Sequence, residues 1–293
     1  MTRRTELVGI GFALIAAVSF GTLAIFAKYA YEEGAEAVPL LAVRFTVTAL
    51  LLIAYVAARK GNLRVGRAKI GRLLALGALG YGVESTFFFM ALERAPASIV
   101  GLVFYSFPLW TTLLALSLKL EHFDKKLLVA LLLGTIGVGS IFSITSTSLA
   151  GPLFALAAAI VVAMFYISAQ VLTADTPSSV AATWTAIGAA GALWAVAAIM
   201  RAGLPMAALG HAVLLGVATA IAFITMYAAI VRIGSSRAAI ANMAELVTTI
   251  ILAALLLGED ITVRIAIGAL LVLSAIPILA FKRTDRVTAA DAP

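Results

Sequence analysis

Leu92-Glu93-Arg94-Ala95-Pro96-Ala97-Ser98 opens the stretch from which the architecture follows; an apolar run carrying Pro108 comes next, and Leu120-Glu121 closes it. The design returns at Ile230-Val231-Arg232-Ile233-Gly234-Ser235-Ser236, which leads into a second apolar run and Gly258-Glu259. At an offset of 138 positions, Arg94 falls on Arg232, Ser98 on Ser236 and Glu121 on Glu259. Self-similarity at long spacing marks a duplicated unit.

Of the 293 residues, 63% are hydrophobic and 12% charged, and the mean hydropathy is +1.11. Soluble domains carry about 45–50% apolar and about 25% charged residues. The chain therefore reads as an all-α integral membrane protein. Its net charge of +7 does not point to nucleic acid, because the basic residues sit in short loops between apolar runs rather than on one polar face. There is no cysteine, which excludes disulfides, thiolate catalysis and Cys-ligated metal. His122 and His211 are far apart at helix ends and read as end residues, not as a catalytic or metal pair. No catalytic residue, metal or cofactor is expected.

Arg3 and Arg4 precede an apolar run from Leu7 to Ala30. It is too long for a signal-peptide core of about 7–15 residues, and further spans follow. It is read as helix α1. Then come α2 (Val38–Ala58), α3 (Ile70–Leu92), α4 (Ala97–Leu118) and α5 (Leu127–Ile144). A polar link at Thr145–Ser148 leads to α6 (Gly151–Thr173), α7 (Ser179–Met200), α8 (His211–Ile230), α9 (Ser236–Leu257) and α10 (Ile261–Phe281). Each run is about the 20 residues that a bilayer core requires.

Helix α6 repeats α1: Gly9, Phe12-Ala13-Leu14 and Ala16-Ala17 reappear as Gly151, Phe154-Ala155-Leu156 and Ala158-Ala159. The expected units are residues 1–146 and 147–293, each a five-helix repeat. Five is odd, so the second unit enters the membrane from the opposite side. Inverted repeats of this kind build many secondary transporters. The alternation of loops puts sixteen Lys/Arg on one side and three (Arg94, Arg201, Arg264) on the other. Cytoplasmic loops carry the Lys/Arg excess. Both termini are thus expected in the cytoplasm and the Glu32–Glu36 loop outside, in a multi-pass protein of the cell (inner) membrane.

Ten helices, two inverted halves and an apolar helix ending in Leu257-Gly258-Glu259 resemble the drug/metabolite transporter superfamily, in its EamA-type ten-helix branch. The family's second half typically carries Glu-Pro-Val; here Glu245-Leu246-Val247 stands there without the proline, and Phe107-Pro108 stands at the matching place in the first half. Within the branch the chain is most similar to YddG-type amino-acid exporters. The resemblance implies export of amino acids, aromatic and other apolar ones included, and of related metabolites. It also implies a central cavity lined by α1, α3, α4, α6, α8 and α9. The expected partners are the lipid bilayer and a small-molecule substrate, with a monomer as the expected state.

Those helices carry the polar and aromatic residues, whereas α5 and α10 are almost bare of them. The candidate substrate-binding residues are Ser19 on α1; Tyr81, Glu84, Ser85 and Phe88 on α3; Tyr105 and Trp110 on α4; Tyr166 on α6; Tyr227 on α8; and Asn242 and Glu245 on α9. Tyr81, Glu84, Ser85 and Phe88 form one helical stripe. Amphipathic rings suit a cavity wall, but they also serve plain helix packing. Tyr81, Trp110 and Tyr227 are the candidate walls of a site between α3, α4, α8 and α9.

Glu84 and Glu245 are the only carboxylates well inside the runs. A mid-bilayer charge costs at least about 2.5–3.5 kcal/mol, so it usually has a partner or a task. For Glu84 the alternative is a structural pair with Arg44 or Lys28. Glu245 lies about nine residues into α9, which is about 14 Å along the helix and close to mid-bilayer. It reads as a proton carrier or a ligand for a substrate ammonium, the alternative being a neutral, hydrogen-bonded carboxyl. Gly80 is a candidate hinge and Pro108 a candidate gating kink, since proline frees a carbonyl one turn earlier. The function expected is secondary transport by alternating access. A multidrug or other small-metabolite exporter of the same fold is the alternative. An enzyme would need paired catalytic groups at one depth, and a channel would need polar pore-lining residues at several depths.

Overall fold

The computed structural model describes residues 3–92, 94, 97–122, 124–141, 149–258 and 260–280. The link at Thr145–Ser148, the expected boundary at residue 146, Glu259 and the segment after residue 280 lie outside the described residues. The protein is an all-α membrane protein of ten spans, and four of the spans are built from more than one segment. Helix α1 comprises Arg3–Gly21 and Leu23–Glu32, and α2 is Ala37–Ala58. Helix α3 comprises Arg67–Ala75, a π-helical turn Leu76–Gly82, and Val83–Leu92. Helix α4 comprises Ala97–Phe104 and Phe107–Ser117, and α5 is Lys125–Ile141. In the second half α6 is Ala150–Leu172, α7 Ser178–Met200, α8 Leu209–Ile233, α9 Ser235–Asn242 with Ala244–Leu257, and α10 Val263–Ala280.

The packing carries the repeat. Helix α1 lies on α8 and α9, α2 on α7 and α8, α3 on α6 and α7, α4 on α6 and α9, and α5 on α10. Exchanging each helix with its repeat mate returns the same set: α1–α8 becomes α6–α3, α2–α8 becomes α7–α3, and α1–α9 becomes α6–α4. Two inverted five-helix halves related by a pseudo-two-fold axis have this property. Side-chain bonds at the bundle ends agree. His211 Nδ1 lies 2.9 Å from Glu33 Oε2, and Tyr29 Oη donates to the Leu256 carbonyl at 3.3 Å, all at the end holding the acidic loop. At the basic end Lys69 pairs with Asp175, and that hydrogen bond holds the Asp175 carboxyl below the usual carboxylate range.

The outer surface is apolar: Leu79, Ile199 and Leu255 are among the large exposed side chains. Lipid is as apolar as leucine, so helix association rests on close packing of small residues and on hydrogen bonds. A Cβ on Gly216 would stand 2.5 Å from Val47 Cβ, and one on Gly137 would stand 2.8 Å from the Gly268 carbonyl. These contacts set α2 against α8 and α5 against α10. Helices α5 and α10 pack on each other and contribute no residue to the central cavity.

Candidate functional site

A cavity of about 360 Å³ lies between the halves. Phe20, Leu23, Ala24, Ala27 and Tyr31 of α1 form one wall, and Leu40, Leu41 and Arg44 of α2 the next. Helix α3 supplies Tyr81, Glu84, Ser85 and Phe88; α4 supplies Phe104, Tyr105 and Phe107. The second half adds Val162 and Tyr166 from α6, Leu215 from α8, and Asn242, Glu245, Leu246 and Thr249 from α9. Both repeats thus build one chamber, which reaches the exposed Tyr31 at the acidic end.

The broken helices lie here. Tyr105–Ser106 interrupts α4, and Met243 interrupts α9. The two breaks fall on one another at the same offset of 138 that relates the two sequence stretches. In each, a tightened turn bridges the break: Leu109 N donates to Ser106 O at 2.9 Å, and Leu246 N to Met243 O at 3.1 Å. Pro108 lacks the amide that would continue the first segment, so it stands near the start of the second one rather than at the centre of a smooth bend. Met243 Sδ fills the place over Gly134 of α5. Discontinuous helices are where inverted-repeat transporters expose backbone to a midplane site.

Eight of the lining residues are aromatic, and Phe165 and Phe223 back them. Tyr81 lies 4.7 Å from Phe165 and 4.9 Å from Phe223 between centroids. Phe107 stacks on Tyr166 at 5.7 Å, and Phe104 meets Phe88 edge-on at 5.0 Å. The two acids are held by their own helices. Ser85 Oγ donates to Glu84 Oε2 at 3.1 Å, and Asn242 Nδ2 donates to Glu245 Oε2 at 2.9 Å. Glu84 forms no ion pair with Arg44 or Lys28, so the structural-pair alternative is not realised among the described residues.

Of the candidate residues, Tyr81, Glu84, Ser85, Phe88, Tyr105, Tyr166, Asn242 and Glu245 meet at the cavity. The other three do not line it. The Ser19 carbonyl accepts Thr22 Oγ1 at 2.7 Å, at the break in α1. Trp110 Nε1 donates to Ser106 Oγ within α4 at 3.1 Å. Tyr227 is fully buried with its hydroxyl 2.7 Å from Thr185 Oγ1 of α7. Gly80 belongs to the π-helical turn, where an added Cβ would stand 2.9 Å from the Phe165 ring; close packing is its observed part. Helix α2 was not among the expected lining helices; it adds Leu40, Leu41 and the charged Arg44.

A second set of groups ties the halves together at the basic end. Glu121 Oε1 accepts Ser236 N at 3.0 Å and Ser235 Oγ at 3.3 Å. Gln170 Oε1 accepts Ser235 N at 2.6 Å. Arg237 reaches Asp124 at 3.2 Å and Glu6 at 3.7 Å. Glu121, just past the end of α4 in the first half, thereby caps the N-terminus of α9 in the second, where free amides and the helix dipole favour an anion. A cavity of about 510 Å³ opens at this end, beside Glu121 and Gln170, and shares no lining residue with the central one.

Spans, inverted halves and a shared central cavity together define a multi-pass membrane transporter of the drug/metabolite type. The chain belongs to the EamA-like transporter family, whose model matches it twice, over residues 7–143 and 149–281. A solved structure described only as "Crystal structure of protein" is similar in fold, with a TM-score of 0.77 at 22% identity, covering 95% of this chain and 99% of the other. No curated protein sequence matches the chain.

Proposed function

We propose that the protein is a secondary transporter that exports amino acids, aromatic and other apolar ones included, by alternating access between repeats divided near residue 146. The observation carrying this reading is the joint cavity: an aromatic enclosure with carboxylates of both halves, Glu84 and Glu245, set into it. Rings provide a place for an apolar side chain, and a carboxylate is a partner for an ammonium group. The volume of about 360 Å³ lies at the small end of ligand pockets, in keeping with a single amino acid. On this reading the chain stands with the YddG-type exporters, in the inner membrane, both termini in the cytoplasm.

The mechanism follows from Glu245. Asn242 Oδ1 is buried without a partner, while its Nδ2 donates to Glu245. A half-turn of the amide would offer that acceptor to a protonated Glu245. Substrate ammonium arriving at Glu245 would displace the proton, and export would be coupled to proton entry. On this reading the basic end, where Glu121 ties the halves together, is the cytoplasmic one, and the chamber reaches the other end at Tyr31. The test is a counterflow screen of amino acids in proteoliposomes of the full chain, with phenylalanine and leucine against lysine and aspartate. Saturable exchange of the apolar ones is expected. Exchange of organic cations with none of any amino acid would replace this reading with the multidrug one, since the cavity holds two carboxylates against one guanidinium.

A further inference from the structure

Arg44 is a guanidinium within a membrane-spanning helix, lining the cavity, without an ion-pair partner among the described residues. Its backbone is fixed by the tight crossing of α2 and α8. Gly216 admits the Arg44 carbonyl so closely that a Cβ would stand 2.9 Å from it, and Thr48 Oγ1 lies within hydrogen-bond distance of both the Arg44 and Gly216 carbonyls, at 2.9 and 3.0 Å. The side chain is fixed as well. Nε donates to Thr219 Oγ1 at 2.6 Å, and that hydroxyl spends its own hydrogen on the Leu215 carbonyl at 2.7 Å. The guanidinium carbon lies 4.9 Å from the Phe45 ring centroid.

Arginine carries five donors in a planar fork. One is used by Thr219, and the four on the two Nη atoms have no acceptor among the described residues. Glu84 and Glu245 line the same cavity, yet neither lies within ion-pair distance of Arg44. An oriented cation with unspent donors within a membrane-spanning helix is costly, and planar bidentate recognition of a carboxylate is what this group does best.

We propose that Arg44 is the anion-binding group of the cavity and takes the carboxylate of the substrate. Resting on the amino-acid reading above, this narrows the substrate to a species with a free carboxylate near its ammonium: Arg44 at one side, Glu245 or Glu84 at the other, aromatic rings around the side chain. Amino-acid amides and simple amines would be discriminated against, although they satisfy the acids and the rings.

The experiment is binding by titration calorimetry on the full chain in detergent, with phenylalanine, phenylalaninamide and 3-phenylpropionate as probes. The wild type is expected to bind phenylalanine at least about tenfold more tightly than the amide, the scale of a charge-assisted pair. Arg44→Gln is expected to remove that preference, and Arg44→Lys to keep part of it. Equal binding of acid and amide by the wild type overturns the proposal without any variant, so a poorly folding Arg44→Gln does not protect it. So does tight phenylalanine binding by a folded Arg44→Gln. If phenylalanine fails but 3-phenylpropionate binds in an Arg44-dependent way, the amino-acid reading falls and the anion site stands. If neither carboxylate binds, both fall.

Discussion

Replacing Glu121 by alanine is expected to unseal the basic end of the bundle. The carboxylate accepts two hydrogen bonds from the first turn of α9, at 3.0 and 3.3 Å, and both serines are fully buried. Hydrogen bonds to a charged group contribute about 1.5–3 kcal/mol. Only part of the total is specific to the closed state, because Glu121 regains water when that end opens. A differential of about 2 kcal/mol corresponds to about a thirtyfold shift between the two states. The chain has no native cysteine, so a single Leu246→Cys in the cavity wall reports directly. Its rate of modification by an impermeant thiol reagent, applied from the terminus-bearing side, should rise by about that factor in Glu121→Ala. In Glu121→Gln the rise should be smaller, since an amide oxygen still accepts from Ser236. Unchanged rates in both, with folding intact, would refute the idea that this cap holds the end shut.

Three further outcomes follow from the same geometry. Tyr81→Ala should cut amino-acid exchange at least tenfold with near-normal yield. Tyr227→Phe, which strands Thr185, should lower stability by about 1 kcal/mol and leave the KM alone, as thermal melts and flux together would show. Gly216→Ala, whose new Cβ would meet Val47 at 2.5 Å, is expected to cost about 1–3 kcal/mol by overpacking, read as a lower melting temperature.

The spans were legible in the sequence because a bilayer writes hydrophobic length directly into it, and the pairing of α1 with α6 was legible as repeated residues. Glu84 and Glu245 stood out because acids are rare at that depth. The break in α4 was foreshadowed by Pro108. The break in α9 at Met243 was not, since no proline or glycine marks it; the offset of 138 was the signal that could have found it. Tyr81 and Tyr227 carry the same side chain but meet different surroundings, a cavity in one case and Thr185 in the other. Helix rotation decides between them, and rotation is set by contacts with other helices rather than by local pattern. Arg44 was read only as a partner for Glu84, because its position in the cavity depends on how closely Gly216 lets α8 approach α2.

On the proposed reading, a proton moving through Glu245 drives amino-acid export across the cavity shared by the halves. The most direct test is phenylalanine flux in proteoliposomes under an imposed pH gradient, compared with counterflow at equal pH, for the wild type and Glu245→Gln. The expected result is gradient-driven accumulation by the wild type, and loss of that accumulation in Glu245→Gln with counterflow retained. Wild-type flux that ignores the pH gradient, or undiminished accumulation by the variant, would contradict it.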